Sequence, residues 1–389
     1  MYKIATLNKI SHVGLNKLDD KYTLVDEVEN AHGIIVRSQN MKDMKFSENL
    51  LAIARAGAGV NNIPLDRCAD EGIAVFNTPG ANANAVKELV LGALFLAARN
   101  LPSGINWAAG LTEDIAKSVE KGKGQFAGRE ITGKTLGVIG LGAIGVLVAN
   151  TARRLGMNVI GYDPFITLKS AHELSNMIPV YTDLAELLPK CDYVTLHVPV
   201  LESTEGMMDT RRFSQMKNDG VLLNFSREKL VNESALLSAL ENNEIDQYIT
   251  DFPTEGLIGK DKITLIPHLG ASTKEAEDNC AVMAAEELME YIEKGNIVNS
   301  VNFPTCSMGE LNPEAQVRVC IMNKNIPSML GRITGIMSDL NINIRDLTNK
   351  SKGEYAYTMM DIDGDVSEEE LRHALDIEGI IRVRVINYK

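Results

Sequence analysis

Apolar residues alternate along the chain between strand-like and helix-like spacing. Short β-rich runs at Tyr2 to Leu7, Gly33 to Val36, Ala52 to Arg55 and Ile73 to Phe76 are separated by helical or turn stretches, the pattern of an α/β segment. Ala85 to Arg99 is apolar on every face, through Leu89, Val90, Leu91, Leu94, Phe95 and Leu96, which predicts a helix buried between domains or subunits. The polar stretch Thr112 to Lys134 reads as a connector. Beyond it, strand candidates follow at Thr135 to Ile139, Asn158 to Tyr162, Tyr193 to Val198, Val221 to Phe225, Tyr248 to Phe252 and Ile263 to Ile266. Helical segments such as Ala143 to Leu155 and Glu233 to Asn242 separate most of them, which predicts a parallel sheet covered on both faces, a doubly wound domain.

Ser272 to Glu275 reads as a capping box that opens a long helix. Ala281, Ala285, Leu288 and Ile292 keep helical spacing until Gly295 and Asn296 stop it. Asn302 to Glu314, with two prolines, a glycine and polar residues, reads as a linker. The C-terminal segment then gives strand (Val317 to Met322), helix (Leu330, Ile333, Met337 and Leu340 on one face), strand (Ile342 to Leu347), strand (Tyr355 to Ile362), helix (Glu368 to Leu375) and strand (Ile380 to Ile386). That order is βαββαβ, the ferredoxin-like arrangement.

Composition narrows the class. The 389 residues exceed one ordinary core and suggest two or three domains at roughly 150 residues each. With 45% hydrophobic and 23% charged residues, wholesale disorder is excluded. The longest apolar run, Leu89 to Ala98, is about half of a bilayer span, and the start MYKIATLNK lacks a signal-peptide core, so no membrane association and a cytoplasmic location are expected. A net charge of −13 with no local basic patch argues against nucleic acid; an anionic ligand must be captured by particular arginines. Cys68, Cys191, Cys280, Cys306 and Cys320 have no C-x-x-C spacing and read as reduced, buried thiols without a metal site.

The chemistry concentrates after Thr135. Gly140, Gly142 and Gly145 form a G-x-G-x-x-G directly after an apolar strand and at the start of a helix. The first glycine permits the tight turn, the second a close backbone approach to a pyrophosphate, and the third close helix–strand packing. Asp163 lies 23 residues beyond Gly140, where a carboxylate bonds ribose hydroxyls and repels a 2′-phosphate, so NAD is favoured over NADP. Three later segments end strands in polar groups: Asn224 to Arg227, Asp251 to Glu255 and Pro267 to Gly270. In a parallel sheet all three face the cofactor. An arginine (Arg227) can hold a carboxylate bidentately, a histidine (His268) can take a hydroxyl proton, and a carboxylate (Glu255) can orient the imidazole. His197 reads as a structural strand-end residue.

Residues 1 to about 303 resemble the D-isomer-specific 2-hydroxyacid dehydrogenases. The match runs through VRS at Val36 to Ser38, RAGAGVNNI at Arg55 to Ile63, NTPGANANAVKEL at Asn77 to Leu89, TLGVIGLGAIG, GYDP, HVP, NFSRE, DFPTE and PHLGAST. The segment from Val317 to Leu347 resembles an ACT domain, a small amino-acid-sensing module. The resemblance implies a Rossmann NAD domain (86–274) inserted in a smaller α/β substrate-binding domain (1–85 and 275–303), a linker (304–315) and a regulatory ACT domain (316–389). It makes Arg227, Glu255 and His268 catalytic. Cofactor contacts fall on Gly140, Gly142, Ala143, Ile144, Gly145, Asp163, Val198, Pro199, Phe225, Asp251 near the nicotinamide carboxamide, and Gly270. Ala58, Gly59, Val60 and Asn82 match substrate-pocket positions, and Arg37 and Arg55 are the cations to hold a phosphorylated 2-hydroxy acid. Asn325 and Asn343 match positions that hold an amino-acid effector, with L-serine the expected one. A homodimer or homotetramer assembled through the NAD domains is implied.

The chain departs from the family pattern in places. Ala143 and Glu228 stand where an arginine and a glycine are usual, DFPTE is one residue short, and Ser328 replaces a turn glycine. Two further readings remain: a glyoxylate or hydroxypyruvate reductase, which usually lacks the phosphate-binding arginines and the ACT domain, and an NAD-binding corepressor-like sensor, against which the intact Arg, Glu and His set argues.

Overall fold

Two parallel sheets and one antiparallel sheet organise the chain in a computed structural model that describes residues 1–315, 317–363 and 367–387. The chain divides into two units, Met1–Ala81 with Glu277–Lys389, and Asn82–Ala276.

In the first unit β1 (Tyr2–Leu7), β2 (Tyr22–Val25), β3 (Gly33–Val36), β4 (Ala52–Arg55) and β5 (Ala74–Asn77) run parallel in the order β2-β1-β3-β4-β5. β3 is buried at every residue, as a strand covered on both faces must be. The Lys274–Lys294 helix buries Ala281, Ala284, Ala285, Leu288 and Ile292 in one core with Ile4, Ile35 and Phe76. Its cap is Thr273, whose Oγ1 accepts from Ala276 N at 3.1 Å, one residue later than the expected Ser272; a hydroxyl three residues ahead of the receiving amide is what the helix start requires.

The second unit carries β6 (Thr135–Ile139), β7 (Asn158–Tyr162), β8 (Val180–Tyr181), β9 (Tyr193–Leu196), β10 (Val221–Asn224), β11 (Gln247–Thr250) and β12 (Ile263–Leu265). All are parallel, in the order β12-β11-β10-β9-β6-β7-β8. The order reverses between β6 and β9, so that a crevice forms at their carboxyl ends. The Ala83–Ala98 helix buries Val86, Val90, Leu94 and Ala97 with Val146 and Ala149 of the Ala143–Arg154 helix, while Phe95 is exposed. The all-round apolar run thus packs one face inside its own unit. The expected connector holds a helix, Ile115–Gly122, preceded by Leu101–Ala109. Ile115 and Val119 share a face at four-residue spacing, a period too short to stand out among the charges. Trp107 meets Phe126 with ring centroids 5.3 Å apart.

The C-terminal segment has the βαββαβ order: β13 (Val317–Lys324), helix Met329–Asp339, β14 (Asn343–Lys352), β15 (Tyr355–Asp363), helix Glu368–Ala374 and β16 (Ile380–Asn387). The strands are antiparallel in the order β14-β15-β13-β16; residues 316, 364–366 and 388–389 of the expected regulatory segment lie outside the described residues. Strand alternation splits β13. Val319 and Ile321 pack on Ile333 and Met337 of the Met329–Asp339 helix, and Cys320 and Met322 join the first unit's core beside Ile292 and Phe303. Arg318, fully buried, holds Asp361 through Nε at 2.7 Å and Nη2 at 2.9 Å, and donates to the carbonyls of Lys294, Gly309 and Glu310 at 3.0 Å each. Arg384 donates to the Tyr291 and Ile292 carbonyls. Residues 304–315 are tied in as well, through the Ile297–Cys306 bridge and Asn296 Nδ2 to Gly309 O at 2.9 Å.

Ser328 precedes the Met329–Asp339 helix at φ +65° without capping it, a left-handed conformation that costs an L-residue roughly 1 kcal/mol relative to glycine. Ser328→Gly should therefore raise the unfolding free energy by about 1 kcal/mol; denaturant melts of the two proteins check this, and a less stable variant contradicts it.

Candidate active site

The turn after β6 is set by backbone crowding. Gly140 sits at φ +94°, and a Cβ there would meet the His197 carbonyl oxygen at 2.4 Å. A Cβ on Gly145 would stand 1.9 Å from the Gly140 carbonyl oxygen. Gly142 faces open space, and a Cβ there would have nothing within 4 Å. It heads the Ala143–Arg154 helix, and no side chain caps that terminus. The first-turn amides therefore remain available, and with the helix dipole they suit a phosphate anion.

Asp163 follows β7. Its Oδ2 accepts from Leu141 N and its Oδ1 from Phe165 N, both at 2.8 Å, so it braces the glycine turn itself. A carboxylate offers about four acceptor positions, which leaves capacity for ribose hydroxyls. His197 closes β9, bonded through Nε2 to Thr195 Oγ1 at 3.0 Å. Burial pushes its pKa down to about 3, so it is neutral, and Nδ1 has no partner among the described residues. Val198 and Pro199 follow it at the strand end. Phe225 is buried in the unit's core, so backbone is what it can offer a ligand.

The next two strand ends converge on Asp251. Its side chain is buried, with Oδ2 accepting from Gly270 N at 3.2 Å and Oδ1 unpartnered among the described residues. Burial pushes the carboxyl up, against the pull of His268, the Gly270 amide and Arg227. A buried acceptor without a donor is costly, and an incoming N–H relieves that cost. Phe252 is in contact with both candidate catalytic side chains: the His268 ring is 4.5 Å from its centroid and the Arg227 guanidinium 5.5 Å. Asn224, fully buried at the end of β10, donates to Arg227 O at 2.9 Å and accepts from Ser226 N at 3.2 Å, which shapes the loop that carries Arg227. Sequence reasoning placed Asn224 in NFSRE and Phe252 in DFPTE but named neither as a site residue.

Glu255 opens the single turn Glu255–Leu257, anchored where Thr254 Oγ1 donates to Glu233 Oε2 at 2.5 Å. Glu255 and His268 are both exposed, and among the described residues no hydrogen bond joins them. Water competes for both groups at such positions, so the expected pair is not made here.

In the first unit Arg37 and Arg55 stand at the carboxyl ends of β3 and β4. Arg37 Nη1 pairs with Glu277 Oε1 at 2.7 Å, and Arg55 Nε donates to Arg37 O at 3.0 Å. Asn8, at the end of β1, accepts from the amides of Ser38 and Gln39 at 2.8 Å and fixes the loop after Arg37; a lone asparagine gave no signal of this. Ala58 O accepts from Asn77 Nδ2 at 2.6 Å, and Gly59 and Val60 are half-buried. Asn82, the first residue of the second unit, is half-buried and caps no helix through its side chain. Asn325 Nδ2 donates to Gly353 O at 3.0 Å and Asn343 Nδ2 to Asp363 Oδ2 at 3.1 Å, so each is engaged within its own sheet. All five cysteines are free and buried, no cluster suited to a metal occurs among the described residues, and no described helix is long and apolar enough to cross a membrane.

Comparison with known proteins places this geometry. The family model "D-isomer specific 2-hydroxyacid dehydrogenase, NAD binding domain" matches residues 92–270. D-3-phosphoglycerate dehydrogenase 2 of Saccharomyces cerevisiae is 34% identical over 376 residues, 90% of this chain and 76% of that one. D-3-phosphoglycerate dehydrogenase of Escherichia coli is 34% identical over 386 residues, 95% of this chain and 90% of that one. Among solved structures, the NAD⁺-bound 3-phosphoglycerate dehydrogenase of Entamoeba histolytica aligns with a TM-score of 0.61 at 25% identity, covering 77% of this chain and 98% of that one. The chain belongs to the D-isomer specific 2-hydroxyacid dehydrogenase family and is an NAD-dependent dehydrogenase.

Proposed function

We propose that the chain oxidises D-3-phosphoglycerate to 3-phosphohydroxypyruvate, the first step of L-serine biosynthesis, in the cytoplasm. The observation that carries this reading is the set of strand ends around Asp251, where an unpartnered buried acceptor stands with Arg227 and His268 about one aromatic ring. The names of the relatives support the substrate.

NAD, when bound, supplies the two-electron acceptor. The amides at Gly142, Ala143, Ile144 and Gly145 would hold its pyrophosphate and Asp163 its ribose, with Val198, Pro199 and Phe225 beside them. Asp251 Oδ1 would accept from the carboxamide N–H, while Gly270 N donates to Asp251 Oδ2. Arg227 binds the substrate carboxylate bidentately. His268 takes the hydroxyl proton at an imidazole nitrogen, and Glu255, once the loop after β11 brings it within hydrogen-bond reach, stabilises the imidazolium. Arg37 and Arg55 hold the phosphate, Arg37 exchanging Glu277 for it, and Ala58, Gly59, Val60 and Asn82 are the further residues assigned to substrate. The same reading assigns 1–85 with 275–303 to substrate, 86–274 to NAD, 304–315 to a linker and 316–389 to an ACT domain. Two ACT domains of a homodimer or homotetramer would meet to take L-serine at Asn325 and Asn343.

Initial rates with NAD and 3-phosphoglycerate, run beside glycerate and 2-hydroxyglutarate, test the substrate. The phosphorylated acid should give the highest kcat/KM, and preference for an unphosphorylated acid favours the reductase alternative. His268→Ala should lower kcat by roughly 10² to 10⁴ with NAD binding retained, and a nearly active variant contradicts the mechanism. Arg37→Ala should raise KM for 3-phosphoglycerate far more than for an unphosphorylated 2-oxo acid; equal losses contradict the phosphate role. NAD should exceed NADP about thirtyfold in kcat/KM, from on the order of 2 kcal/mol of like-charge repulsion, and Asp163→Ser should narrow the ratio; an unchanged ratio removes Asp163 as the discriminator. Serine should lower the initial rate of the full chain and not that of Asn325→Ala, and no effect at millimolar serine contradicts the effector assignment.

A further inference from the structure

A cavity of about 250 Å³ opens in the first unit between the Lys274–Lys294 helix and the turn that follows it. Phe76, Met283 and Val298 form its apolar wall. Glu287, in mid-helix, also lines it and is only 9% exposed. Its Oε1 accepts from Asn299 Nδ2 at 2.7 Å, while Oε2, equally buried, has no partner among the described residues.

The neighbouring charges do not satisfy it. Glu286 pairs with Lys17 at 3.3 Å and Glu290 with Lys294 at 3.0 Å, and Lys294 is shared with Glu310 at 2.6 Å. The carboxylates at this wall therefore outnumber the ammonium groups, and Glu287 is the one left without a counter-ion among the described residues. A buried carboxylate with a free oxygen is costly unless a charged donor meets it. No cluster of three or more His, Cys, Asp or Glu side chains suited to a metal occurs among the described residues, and Phe76, Met283 and Val298 share the lining with the carboxylates, which fits a cation with a hydrocarbon body. An apolar cavity of about 150 Å³ holds benzene, so this one has room for a ligand of somewhat more than six heavy atoms.

We propose that this cavity binds a small organic ammonium ion, toward which the Glu287 side chain turns so that the N–H groups donate to Oε2, and whose apolar body lies against Phe76, Met283 and Val298. Such a ligand would tie the helix to the turn that leads into Ser300, which bridges to Phe76. The site owes nothing to the residues assigned to catalysis, and its ligand binds whether or not the substrate reading holds.

Burial pushes the Glu287 carboxyl up to about 7. The charged groups around it are Glu286, Glu290 and Lys294 on its own helix, with Lys17 and Glu310 beyond; Asn296 and Asn299 on the turn and Phe76 on β5 are uncharged. Below pH 7 the ligand must displace a proton from Glu287, so affinity should fall about tenfold from pH 8 to pH 6.

Calorimetric titration of the full chain with n-butylammonium chloride at fixed ionic strength tests the site. At pH 8 one saturable site per chain is expected, at least tenfold tighter than for butan-1-ol. Glu287→Gln, nearly isosteric, should weaken ammonium binding at least tenfold and abolish its pH dependence. Val298→Trp, at a position 47% exposed, should block the mouth and also abolish binding, and it decides the matter if the Gln variant fails to fold. Absence of saturable binding, equal affinity for the alcohol, or undiminished binding in Glu287→Gln or Val298→Trp would overturn the proposal.

Discussion

The close approach of two backbones at Gly140 is the constraint on which the second unit depends. The carbonyl of His197 lies where a side chain at 140 would begin, so β6 and β9 can stay paired through Ile139 and Leu196 only if residue 140 has none. That contact sits where the strand order reverses, and it aims the start of the Ala143–Arg154 helix at the crevice. The parallel register then carries the remaining strand ends to the same edge, since β9, β10 and β11 pair in step up to Leu196, Asn224 and Thr250. Asn224, Asp251 and Phe252 are functional by position first and by chemistry second. A parallel sheet delivers its carboxyl-end loops together, and the polar residues there meet without any local motif.

A different device fixes the C-terminal sheet to the first unit. All five N–H groups of the buried Arg318 are used, two on Asp361 and three on carbonyls that end the long helix or follow it. A buried ion pair is weak evidence of net stability, but removal of one partner costs about 3–5 kcal/mol. The arrangement therefore specifies one docking orientation: a sheet rotated from its place would strand both the guanidinium and Asp361. Tyr357 adds a bond to Gly295 O at 2.8 Å, at the same helix end. The C-terminal sheet is thus bonded directly to the end of the Lys274–Lys294 helix, the element that also carries Glu277, the partner of Arg37.

Strong periodicity and glycine spacing made much of this legible in the sequence. β1, β3, β4, β6 and β7 fall on the residues expected from their apolar runs, and the glycine turn lies where the strand-to-helix context puts it. Later strands stop one or two residues early, at Leu196, Asn224, Thr250 and Leu265, because the apolar run continues into the functional loop while the ladder does not. Long-range partnerships left no trace. Arg318 reads as a surface charge in an alternating strand, Asn8 as a loop residue, and Glu287 as one more acid on a helix rich in them. Their roles come from partners 8 to 43 positions away. The Glu255 and His268 pairing shows the converse, since residue types suited to each other need not be in contact.

In the proposed mechanism Asp251 Oδ1 is the buried acceptor that an amide N–H of the cofactor completes. The most direct measurement is the dissociation constant of NAD against that of 3-acetylpyridine adenine dinucleotide, in which a methyl group replaces the carboxamide nitrogen. Loss of a hydrogen bond to a buried acceptor is worth on the order of 1.5 kcal/mol, about tenfold in affinity. The wild-type chain should bind NAD about tenfold more tightly than the analogue, and Asp251→Asn should erase or invert the preference. Equal affinities in the wild type would contradict the role given to Asp251.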